Sequence, residues 1–192
     1  MKKLISVLIS LILIVSVLPS CAERKVSGTP LPPSDWAAEY ITKAENMGIT
    51  RGFSAVKNPW ARPIRREAFC HLLFNTLKDS GLIGTDKKTF SDTDDERILR
   101  LAASGFIEGV SDTEFDPDGL ITREEAAVLL SRAAGKMTLA ATEIYFILSD
   151  EDEISSWAEN GVQITLNLGF MKGVGESAFD PKGNLTAEQA VC

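Results

Sequence analysis

The chain has 192 residues, with 27 acidic and 20 basic side chains, one histidine and three cysteines, and a formal net charge of −7. That balance excludes the broad basic face on which nucleic-acid binding rests, and the scattered cysteines exclude a zinc cluster. His71 follows Cys70 directly, but neighbours on a helix point in different directions, so no thiol–imidazole pair and no enzyme are expected.

Residues 1–20 read as an export signal: Lys2 and Lys3, then an apolar run from Leu4 to Leu18. The run is short for a membrane span, which takes about 20 apolar residues. Leu18-Pro19-Ser20-Cys21 resembles a bacterial lipoprotein box. That resemblance implies acylation of Cys21 and anchoring on the outer face of a membrane; Pro19 departs from the usual residue, and ordinary signal cleavage is the alternative. Residues 21–33 are polar, contain proline and show no periodicity, which makes them a flexible tether with a reach of roughly 40 Å.

From Ser34 onward the chain repeats a helix–turn–loop–helix unit. Gly48, Gly105 and Gly169 come into register, each followed four residues later by Gly52, Gly109 or Gly173. Before each first glycine an apolar stripe predicts a helix: Trp36, Tyr40, Ile41, Ala44 and Met47; then Ile98, Leu101 and Ala102, with Thr93 in the tryptophan's place; then Trp157, Val162, Thr165, Leu166 and Leu168. After it, Asp116-Pro117-Asp118-Gly119 is turn chemistry, with the glycine expected to take the positive φ. Thr122 then stands as N-cap three residues before Glu125, a capping box that opens a helix over Ala126, Ala127, Leu129, Leu130 and Ala133, with Gly135 as its stop.

Thr186 with Gln189 repeats the box, whereas the first copy has Arg65 and Ala68 there, ahead of a helix with Phe69, Leu72, Leu73, Phe74 and Leu77. A further helix is expected to connect Thr138 to Leu148. The fold class is all-α, one domain over 34–192, with repeats at about 34–81, 90–135 and 148–192. The third reads as cut short at Cys192, six residues after Thr186, or as completed by something else.

Glu114, Asp116, Asp118, Gly119 and Glu125 fall at positions 1, 3, 5, 6 and 12 of an EF-hand loop. Pro117 interrupts it, and the third repeat has Ala178, Asp180, Lys182, Gly183 and Gln189 in the same frame, which cannot cage calcium. No metal and no cofactor are expected. Cys70 reads as a small buried hydrophobe rather than as half of a disulfide with Cys192.

Trp36-Ala37 and Trp157-Ala158, the glycine pairs, Phe115-Asp116-Pro117 and Phe179-Asp180-Pro181, and Ile121-Thr122-Arg123-Glu124-Glu125 resemble the S-layer homology (SLH) domain, a module usually found in threes. The resemblance implies a pseudo-three-fold helical bundle that holds a protein to secondary cell-wall polymer, often a pyruvylated polysaccharide, without catalysis. It also implies Arg123 and Arg66 as polymer contacts, with Glu124 and Glu67 beside them. The plainer reading makes these glutamates helix-start charges and the arginines solvated; on the contact reading, Arg123→Ala should weaken binding by roughly ten- to a hundredfold while leaving the fold alone. Against the attachment reading stand a scaffold that recognises a protein partner and the N-terminal anchor of a larger protein, suggested by Ala187 in the arginine's place and by the early end of the third repeat.

Overall fold

The computed structural model describes residues 31–141, 144–175 and 177–192; the signal, Cys21 and most of the tether lie outside them. The described residues form six α-helices and no strand: α1 (Asp35–Asn46), α2 (Arg66–Leu77), α3 (Glu96–Ala103), α4 (Arg123–Lys136), α5 (Glu159–Asn167) and α6 (Ala187–Val191), with a 3₁₀ turn at Glu151–Glu153.

Three buried residues tie them together. Ile64, Ile121 and Leu185 each immediately precede the N-cap of α2, α4 or α6. The N–H of Ile121 donates to the carbonyl of Ile64 at 3.2 Å, Leu185 to Ile121 at 3.0 Å, and Ile64 to Leu185 at 2.8 Å. The bonds close a cycle around a pseudo-three-fold axis. Backbone bridges pair Arg65 with Leu120, Thr122 with Asn184 and Thr186 with Pro63 in the same rotation.

A helix start leaves its first N–H groups without intrahelical acceptors, and here the next unit in the ring supplies them. Arg66 and Glu67 donate to the carbonyls of Gly119 and Pro117, Arg123 and Glu124 to Gly183 and Pro181, Ala187 and Glu188 to Arg62 and Trp60. The third donor is met locally, because Thr122 and Thr186 each close a capping box with Glu125 and Gln189; Arg65 makes no side-chain cap. Helix pairing follows the same order: α2 packs on α3, α4 on α5 and α6 on α1. The third unit therefore packs back on the first. One core runs through all three, built on Ile64, Ile121, Leu185, Phe106, Phe115, Phe179, Ile98, Leu101 and Val162.

Several local expectations are corrected. Gly48, Gly105 and Gly169 do take positive φ at the ends of α1, α3 and α5, but Gly135 lies within α4, and the positive φ near that helix's end belongs to Thr138. In the Asp-Pro loops Asp116 (φ 59°) and Asp180 (φ 58°) take the left-handed conformation, not Gly119 or Gly183. Aspartate tolerates it because its short carboxylate bonds locally: Asp116 Oδ1 accepts from the N–H of Gly119 at 3.1 Å.

The connection expected to be helical is not. Its described residues 144–148 have no helical bonding, since Thr138 turns the chain and the β-branched and aromatic run Ile144-Tyr145-Phe146-Ile147 resists a helix. Trp157 is 58% exposed just before α5, whose buried residues are Gly161, Val162 and Thr165.

Two glycines test this account in opposite directions. A Cβ on Gly109 would lie 2.2 Å from the carbonyl oxygen of Glu114 and 2.6 Å from that of Ser111, whereas one on Gly135 meets nothing within 4 Å. Gly109→Ala should cost roughly 2 kcal/mol through overpacking. Gly135→Ala should stabilise by about 1 kcal/mol through helix propensity. Urea denaturation of the two variants measures both.

Candidate functional site

The chemistry-bearing side chains gather at three joints, where the start of α2, α4 or α6 meets the loop of the next unit. Arg66 and Arg123 are the first residues of their helices and are 7% and 5% exposed. Arg66 donates from Nε to the carbonyl of Phe115 at 3.2 Å and from Nη2 to that of Glu108 at 3.4 Å, while Nη1 reaches Glu125 Oε1 at 3.1 Å. Arg123 repeats the pattern one unit on, with Nε to Phe179 at 2.7 Å and Nη2 to Lys172 at 2.5 Å. Each guanidinium also lies over a phenylalanine ring, 5.1 Å from the centroid of Phe115 and 4.8 Å from that of Phe179.

The arginines are thus struts between units rather than solvated first-turn charges. Arg123→Ala cannot leave the fold untouched, as the contact reading supposed, because it would strand two carbonyls beneath the helix start. The strut also offsets the unfavourable placing of a cation at a helix N-terminus.

The second residue of each helix start divides the joints. Glu124, only 4% exposed, accepts from the N–H and hydroxyl of Ser155 at 3.0 and 3.1 Å and from Lys182 Nζ at 2.6 Å. Glu188 likewise accepts from the N–H and hydroxyl of Ser34, both at 3.0 Å. The Glu67 side chain is half-buried and has no hydrogen bond or ion pair to any described residue. Glu125 is committed twice, to Arg66 and to the N–H of Thr122 at 2.8 Å, so the EF-hand frame has no ligand left at its last position. No group of three metal-ligating side chains comes together among the described residues.

Other carboxylates hold the loops. Asp92 accepts from the N–H groups of Phe115 and Asp116, and Asp150 from those of Phe179 and Asp180. The bond from Phe115 holds the Asp92 carboxyl below the usual aspartate range. His71 joins α2 to α3 by contacting Asp95 at 3.0 Å, and Arg97 grips the same carboxylate at 2.6 Å. Burial would raise the Asp95 pKa, but bonds from His71 and Arg97 keep it well below the carboxylate range. Cys70 is buried and free, and burial pushes its thiol up to about 12.

The joints differ in what they leave open. At the first, each of the three guanidinium nitrogens of Arg66 has an acceptor within the ring, and Glu125 balances its charge. At the third, Ala187 replaces the arginine. At the second, Arg123 Nη1 has no hydrogen-bond partner among the described residues, and it reaches solvent, since no buried side-chain nitrogen or oxygen there lacks a partner. The counterpart of Glu125 at this joint is Gln189, which is neutral, so Arg123 forms no ion pair. Burial lowers its pKa and the nearby charges of Asp180 and Asp150 oppose this; the group stays charged at any ordinary pH. Lys182, half-exposed, stands at the same joint.

Asp92, Asp150, Ser34, Ser155 and Lys182 were not singled out from the sequence. A signal for four of them was there, in the Ser-Asp pairs Ser91-Asp92 and Ser149-Asp150 and in Ser34 and Ser155, each two residues before a tryptophan.

An all-helical ring whose charged residues mostly bind its own units to one another has the build of a recognition or attachment module. Comparison with known proteins agrees: residues 85–127 and 148–191 match the S-layer homology domain, a non-catalytic anchoring module of the cell envelope. An endoglucanase of Bacillus sp. (strain KSM-635) is 28% identical over 203 residues, covering 98% of this chain and 21% of that protein. An amylopullulanase of Thermoanaerobacterium thermosulfurigenes is 29% identical over 162 residues, covering 81% of the chain and 9% of that protein. A cell surface protein of Thermoanaerobacter kivui is 30% identical over 96 residues, 49% of this chain and 12% of that protein. The chain spans about a fifth or less of the length of these relatives.

The strut geometry predicts that Arg66→Ala and Arg123→Ala each lower the unfolding free energy by roughly 3 kcal/mol, from lost charged hydrogen bonds and stranded buried partners. Urea melts followed by circular dichroism measure this; a loss below about 1 kcal/mol would mean the struts carry little.

Proposed function

We propose that this chain is an exported, non-catalytic attachment module that binds secondary cell-wall polymer at the joint between α4 and the loop of the third unit. The observation that carries the reading is Arg123 Nη1: a charged donor on a nearly buried side chain, at a helix start, with no acceptor of its own among the described residues. Such a donor favours an anionic group, and a carboxylate or ketal-linked acid on a polysaccharide supplies one. Lys182 adds a second cation, and Trp157, exposed two residues beyond Ser155, offers an apolar ring face.

Arg66 is neutralised by Glu125 and has an acceptor at each guanidinium nitrogen, so it supports the ring, and Glu67 is the open group at that joint. Glu124 orients Ser155 and Lys182 rather than meeting the polymer's charge. The module sits on the outer face of a membrane through acylated Cys21, with the tether between. The match to the S-layer homology domain supports attachment to the envelope; the polymer's chemistry rests on Arg123 and Lys182. An overall acidic domain can hold an anionic polymer because charges more than about 10 Å apart are largely screened at 0.1 M salt.

Because Arg123 also supports the fold, Lys182→Ala is the cleaner test of binding. It should weaken co-sedimentation with cell walls about tenfold, the effect of one charged contact, and, since Lys182 pairs with the nearly buried Glu124, lower the urea midpoint by less than Arg123→Ala does. Walls stripped of their secondary polymer should not bind the parent chain; retention on stripped walls would refute the reading. Separately, Cys21→Ser should move the protein from the detergent-requiring membrane fraction to the soluble one, as loss of acyl chains removes about 0.8 kcal/mol per buried CH₂.

A further inference from the structure

Residues 144–147, Ile-Tyr-Phe-Ile, lie along α5. The N–H of Phe146 donates to Gln163 Oε1 at 2.9 Å and its carbonyl accepts from Gln163 Nε2 at 2.9 Å. The carbonyl of Ile144 accepts from Asn167 Nδ2 at 2.6 Å. Two side-chain amides on the helix therefore take the place of a neighbouring strand. Alternate residues of an extended chain present their polar groups to the same side, so those of Tyr145 and Ile147 point the other way. Neither residue's backbone makes a hydrogen bond to any described residue.

The free edge is apolar: Ile144, Tyr145, Phe146 and Ile147 are all exposed, Ile147 by 83%. Beside it, Ala141, Ile144, Tyr145, Asn160, Gln163, Ile164 and Asn167 line a shallow cavity of about 260 Å³. An apolar edge with unpaired backbone groups is a template for a further strand.

Charge narrows the occupant. Tyr145 Oη donates to Glu151, and Glu151, Asp152 and Glu153 are exposed just past the edge's C-terminal end. A second copy of this edge would bring no cation to that end, because residues 139–147 contain none. An anionic membrane surface would be repelled by the same acids. We propose that residues 144–147 form a docking edge for an extended, apolar segment of a partner protein that carries lysine or arginine at the end meeting Glu151–Glu153, added as a β-strand through the backbone of Tyr145 and Ile147. This surface is distinct from the polymer joint and would let the module hold a protein and the wall at once.

The test titrates the full chain into two fluorescent synthetic peptides of alternating valine and threonine, one ending in two lysines and one in two glutamates, followed by anisotropy. The lysine peptide should bind at least tenfold more tightly. Ile147→Pro removes an N–H that pairs with no described residue and should weaken that binding at least tenfold, whereas Ile147→Thr keeps the N–H and should retain most of it. Glu151→Lys with Glu153→Lys should reverse the preference between peptides, a readout independent of how well the proline variant folds. Equal affinity for the two peptides, no binding of either, or indifference to both proline and charge reversal would overturn the proposal. So would chain dimers that dissociate on Ile147→Pro, which would make a second copy the occupant, or retention on phosphatidylcholine vesicles lost with the same variant, which would make it a membrane contact.

Discussion

The cycle of hydrogen bonds among Ile64, Ile121 and Leu185 is the constraint from which the rest of the architecture follows. It fixes the three helix starts at one axis, and an N-terminus buried there must find acceptors for its first N–H groups. Only the neighbouring loop is close enough to supply them. Each loop must then carry carbonyls into the joint, which requires the Asp-Pro turns at Asp116 and Asp180, their left-handed aspartates, and the clamps from Asp92 and Asp150.

The arginines belong to the same logic. A guanidinium can serve several carbonyls from one position, because its donors form a rigid fork, and Arg66 and Arg123 use it to bridge two carbonyls of the next loop each. Repetition is imperfect, and the imperfections give each joint a character. Glu125 neutralises Arg66, Gln189 cannot do so for Arg123, and Ala187 removes the cation altogether. A ring with equal backbone joints is thereby made chemically unequal by three side chains.

What could be read from the sequence was what acts over short range. The capping boxes at Thr122 and Thr186 involve partners three residues apart, and the stops at Gly48, Gly105 and Gly169 are properties of single residues. The all-helical class followed from these. The burial of Arg66 and Arg123 was not legible, because their acceptors Phe115 and Phe179 stand 49 and 56 residues downstream. The expected helix after Thr138 failed for a similar reason: Gln163 and Asn167, on a different element, take up the backbone groups that a helix would have paired internally. The packing of α6 on α1 and α2 was likewise not legible, because these helices lie at opposite ends of the repeat array.

The ring has a seam. Two of its joints are bridged by the chain itself, between the first and second units and between the second and third, while the third joint is held solely by non-covalent contacts: Ala187 on Arg62, Glu188 on Trp60 and Ser34, and Leu185 on Ile64. Separating that joint frees the two ends of the ring without first stretching any connecting segment, so sub-global opening begins there. Amide hydrogens of Ile64, Ala187 and Glu188 report that opening, whereas the matching amides at Ile121, Arg123 and Glu124 exchange only when larger parts of the ring come apart. A load transmitted through Ser34 falls on the same seam, which makes it the yielding point of the module under tension.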